Sequence, residues 1–73
     1  MNQSEVAQLR RLIEQELEAM QRGMSGLAVG TARHEFIRLR MDRVVQYQDT
    51  LAAYIGDVDA NLAVCRAYVE IIG

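Results

Sequence analysis

Between residues 37 and 72 the apolar side chains recur in alternating four- and three-residue steps: Ile37, Met41, Val44, Leu51, Ile55, Val58, Leu62, Cys65, Val69 and Ile72. Gln48 is the one polar member of the series. A period near 3.5 residues is that of a helix carrying a coiled-coil seam, here sustained for about five heptads. No proline occurs in the chain to break it. Gly56 lies off the seam, where glycine costs about 1 kcal/mol relative to alanine without ending a helix by itself. The pattern therefore predicts one long helix over about 31–72, capped at its start by Thr31. The alternative is a break near Gly56, with Asp57 or Asp59 capping a third helix and a three-helix bundle as the result. Both solutions are all-α, and both make residues 1–73 a single helical domain.

Upstream, Val6, Leu9, Ile13, Leu17 and Met20 repeat at helical spacing, and Leu12 widens their stripe. They predict a first helix over about 3–22, with Asn2 or Ser4 as its cap and Glu5 at the positive end of its dipole. Gly23, Gly26 and Gly30 punctuate the stretch 23–30, which reads as a glycine-rich linker. The fold expected is a helical hairpin with a short first helix and a long, heptad-patterned second one. At 1.5 Å per residue the second helix is roughly 60 Å long and the first roughly 30 Å. Half of the long helix is then left uncovered, although it is apolar on two sides. Ile55, Val58, Leu62, Cys65 and Val69 form one side; Ala53, Ala60, Val64, Ala67 and Ile71 form the other. Alanine at every seventh position (53, 60 and 67) allows helices to approach closely. A helix apolar on both sides is normally buried, so these residues are expected to form an oligomer interface, with the chain as its own partner in a homodimer or higher helical bundle.

Size points the same way. A monomer of 73 residues buries only about 60% of the surface of its unfolded chain and is often marginal alone. The single cysteine, Cys65, forms no internal disulfide and reads as a buried small hydrophobe. No metal-ligand cluster or cofactor motif is present to staple the fold; association is the remaining means. Met20, Met24 and Met41 read as flexible core filler, and Gln48 as a polar layer able to fix register.

Charge is informative by its distribution. The formal net charge is −2, yet Arg33, Arg38, Arg40 and Arg43 outnumber Glu35 and Asp42 over residues 33–43. On a helical wheel Arg33, Phe36, Arg40, Arg43, Tyr47 and Tyr54 fall within about 80° of one another. They form a candidate partner-binding face for an anionic group, since guanidinium forks pair with carboxylate or phosphate and stack on rings. The competing structural role sets Phe36, Tyr47 and Tyr54 at the core edge and directs the arginines to the first helix. Glu16 lies there inside the apolar stripe, where a carboxylate requires a partner, and Arg40 or Arg43 is expected to form an intrachain ion pair with it.

Catalysis finds little support. His34 is the sole histidine and reads as a surface residue, because its neighbours Arg33 and Glu35 diverge from it by 100° on a helix. No nucleophile–base pair can be assembled, no Glu-x-x-His motif of di-iron bundles is present, and the glycine-rich stretch lacks the lysine of a phosphate loop. No apolar run approaches the ~20 residues that span a bilayer. Glu5, Glu14, Glu16 and Glu18 near the start read against a signal peptide, so the expected location is cytoplasmic. The sequence thus predicts a non-catalytic helical interaction or oligomerisation module, acting with itself or with another protein. The alternative is a small dimeric nucleic-acid-associated regulator using the basic block over 33–43. An acidic chain is poor material for the many phosphate contacts that nucleic-acid binding requires, which places that reading second.

Overall fold

The computed structural model describes residues 2–26 and 31–73, and these form three helices: α1 (Asn2–Gly26), α2 (Thr31–Ile55) and α3 (Asp57–Ile71). The segment 27–30 of the expected linker, and the capping side chains of Asn2 and Thr31, lie outside the described residues. Residues 23–26 belong to α1. Gly23 does not end the helix. It gives space, since a Cβ at this position would overlap the ring of Phe36 on α2.

The helices alternate in direction. Gly23 meets Phe36, Glu16 meets Arg40 and Arg43, and Val6 shares a depression with Tyr54 and Ile55; numbers fall along α1 as they rise along α2, so the two are antiparallel. Along α3 they rise together, from Val6 beside Asp59 to Ile13 beside Ala67. The body measures 42 × 18 × 18 Å.

That length corrects the expectation of a single helix over 31–72, which would need roughly 60 Å. The break falls at Gly56, with φ 92° and ψ 159°, a region open in practice to glycine alone. It disturbs little else in the backbone. The Gly56 amide still donates to the Ala52 carbonyl (2.8 Å), and the Gly56 carbonyl accepts from the Ala60 amide (3.0 Å). Gly56, and neither aspartate, occupies the cap of α3 and makes no side-chain capping bond. Asp57 and Asp59 lie in the first turn, where negative charge is favoured.

Burial explains why the break wins over the unbroken seam. The core is Leu9, Ile13, Leu17 and Met20 of α1, Val44 and Leu51 of α2, and Ala60, Val64 and Ala67 of α3. The α1 stripe enters it as the spacing predicted, and so does the α2 seam through Val44 and Leu51. In α3 the seam does not. Its core face is 60–64–67, with Ile71 packed against it, about 160° round the helix from the seam residues. Ala60 is fully buried, and its short side chain lets α3 lie close to the other two helices. Breaking at Gly56 therefore buries the second apolar side of the C-terminal half within the same chain, which a continuous helix cannot do.

Candidate interaction surface

Fold-back divides the expected oligomer interface in two. Ala60, Val64 and Ala67 are core residues of this chain, so they are removed from any interface between chains. Ile55 is half-buried at the end of α2, and Ala53 is exposed there. The remaining seam of α3 faces outward. Val58 is 72% exposed, Leu62 46% and Val69 67%. Cys65 is exposed as well, which corrects its reading as a buried hydrophobe; its thiol donates to Asn61 Oδ1 at 3.4 Å. Leu62, Cys65, Arg66, Val69 and Glu70 line a shallow depression along this stripe. The four positions 58, 62, 65 and 69 fall within about 60° of one another on the helix, so they form one continuous strip. Elsewhere, Leu39 and Val45 are exposed, but isolated surface hydrophobes are ordinary and need no partner.

The aromatic and arginine face of α2 is largely occupied from within. Phe36 and Tyr47 pack against the core, and the Arg40 guanidinium lies 5.2 Å from the Phe36 ring centroid. Arg40 Nη1 donates to Glu16 Oε1 at 3.1 Å, and Arg43 reaches the same oxygen at 3.7 Å. Arg38, outside that face, bridges Glu35 and Asp42 at 3.4 Å each. Arg33 is half-buried, and Tyr54 and His34, near opposite ends of α2, are exposed. The structure thus brings Glu16 together with both arginines named for it. Gln48 is half-buried beside the α2 core positions.

The Glu16 pair has a measurable consequence. The carboxylate is only 14% exposed and Arg40 28%, whereas Arg43 is 56% exposed; the shorter, drier contact to Arg40 carries most of the interaction. In a double-mutant cycle with Glu16→Gln and Arg40→Met, a coupling of about 1 kcal/mol is expected from urea unfolding, with a smaller one for Arg43→Met. Additivity in both cycles would show that the contacts contribute nothing.

Among the described residues no group of three or more His, Cys, Asp or Glu side chains is placed to hold a metal ion, and no helix is long and apolar enough to cross a membrane. No family model, curated protein or solved structure matches the chain.

Proposed function

We propose that the protein is a non-catalytic helical interaction module of the cytoplasm, and that the outward face of α3 is its docking surface. The observation that carries this reading is the exposed strip Val58, Leu62, Cys65 and Val69. Its side chains retain the spacing of a helix-packing seam while the chain's own core is filled from the opposite face. Contiguous apolar surface of this kind marks contact sites, and regular 4-3 spacing is the form in which one helix presents itself to another. The free thiol in the strip favours a reducing compartment. Fold-back of α3 leaves no length mismatch between α1 and α2, so the exposed strip alone calls for a partner.

The basic block over 33–43 is the weaker basis for a function. Arg38, Arg40 and Arg43 are engaged with Glu35, Asp42 and Glu16, so phosphate binding there has carboxylates to displace as well as an acidic chain to overcome.

The test is site-specific photocrosslinking in the native cell, with benzoylphenylalanine at position 62 and, as control, at exposed position 35. The expected result is a discrete protein adduct from position 62 only. Excess unlabelled chain should compete it away, and the Leu62→Ser/Val69→Ser variant should not. Equal adducts from both positions, or none from 62, would overturn the reading.

A further inference from the structure

The occupant of the α3 strip can be named from the charges beside it. Asp59 and Arg66, both exposed, flank the strip directly on its α1 side, two turns apart; Arg10 of α1 shares their depression, and Glu70 follows one turn beyond Arg66, further round the helix from the strip. Among the described residues neither Asp59 nor Arg66 makes an ion pair within the chain. On the other flank stand Asn61 and Tyr68, which carry no charge. Opposite charges seven residues apart on a single flank have a symmetry consequence. In an antiparallel helix pair each flank meets the same flank of its neighbour, and in a parallel pair it meets the opposite flank.

We infer that α3 docks against α3 of a second copy of this chain in antiparallel orientation, an inference that rests on the strip being a protein-docking surface. A two-fold axis between positions 62 and 65 sets Leu62 against the partner subunit's Cys65 and Val58 against the partner subunit's Val69. The same axis sets Asp59 beside the partner subunit's Arg66, and by symmetry the pair forms twice. The uncharged flanks meet each other without repulsion. A parallel pair gains no such complement: Arg66 then faces the partner subunit's Asn61, and Asp59 has no cation opposite. Self-complementarity about a two-fold axis is what an isologous interface requires, and here it is supplied by four apolar residues and two charges on one face.

The contact is small. One face of a 15-residue helix belongs to the small class, below about 1,200 Å², that holds weak, reversible complexes, so a dimer that dissociates on dilution is expected. Charge controls pairing rather than folding at these exposed positions.

Sedimentation equilibrium over a concentration series tests the inference, with circular dichroism to confirm that each variant is folded. The wild type should pass from monomer to dimer, and Asp59→Arg or Arg66→Asp should each weaken the dimer about tenfold or more, because each creates two like-charge contacts. Mixing the two variants should restore dimerisation as a heterodimer, since every Arg then faces an Asp. That recovery cannot come from a variant that has lost its fold. Dimers indifferent to both reversals would overturn the antiparallel pairing. A wild type that stays monomeric to millimolar concentration would overturn self-association, while a crosslink from position 62 to a different protein would leave the docking surface standing.

Discussion

Leu51→Ala is expected to destabilise the folded chain by about 2–5 kcal/mol, the usual range for deleting a buried leucine and leaving a cavity. The same truncation at Leu62 should cost under about 1 kcal/mol, because a half-exposed side chain recovers only part of its transfer free energy. The two leucines belong to one unbroken heptad pattern, about three turns apart, and are indistinguishable by spacing. Leu51 is fully buried, and Leu62 is 46% exposed. Urea unfolding at low protein concentration, where chains are separate, reads the intrachain difference directly. At high concentration the Leu62 variant should lose a further increment, since its side chain faces the second copy. Equal effects of the two changes in dilute solution would mean that both lie in one buried seam, against the fold described here.

Gly56→Ala should lower stability by about 1–3 kcal/mol, the strain of holding an L-residue at φ 92° and ψ 159°. Nothing within 4 Å obstructs an added Cβ, so the effect is one of backbone conformation and not of packing. The substituted chain has one escape, which is to straighten α2 into α3. That route removes Ala60, Val64 and Ala67 from the core, so it too destabilises the closed form. A thermal melt reports the change as a drop in Tm of about 4–8 °C per kcal/mol for a domain of this size. Chemical synthesis offers the control: D-alanine favours positive φ and should preserve the fold. A gain of about 1 kcal/mol with L-alanine, the interior-helix value, would show that residue 56 lies within a continuous helix.

Most of the helical content was legible because it depends on local periodicity. The stripe from Leu9 to Met20 has one apolar side, and one side has only one place to go. The C-terminal half was ambiguous for a physical reason: it carries two apolar faces, 58–62–65–69 and 60–64–67–71. Each has helical spacing, and the choice between them depends on which is covered by α1 and α2. That is a tertiary matter. The glycine penalty of about 1 kcal/mol gives no sign of a turn by itself, whereas burial of Ala60, Val64 and Ala67 against two helices exceeds it. The ion pair of Glu16 with Arg40 was legible for the opposite reason, since a carboxylate inside an apolar stripe demands a cation and α2 offers arginines at the matching height. Gly23 misled because glycine inside a helix resembles a stop signal, and the Phe36 ring that requires the space lies on another element.

The direct test of fold-back at Gly56 is the distance across it. Spin labels placed by Glu35→Cys and Glu70→Cys, with Cys65→Ser, occupy exposed sites on α2 and α3. Labelled chains diluted into unlabelled ones report the intrachain distance by pulsed dipolar spectroscopy. A continuous helix would hold the two backbones roughly 50 Å apart at 1.5 Å per residue, beyond the 42 Å length of the molecule. With α3 folded back along α2, the distribution should centre at about 20 Å or below: one helix spacing of about 9 Å lies at right angles to an axial offset of about 10 Å, and the reach of the labels adds to their resultant. A single peak near 50 Å would contradict the three-helix fold, and with it the outward face of α3.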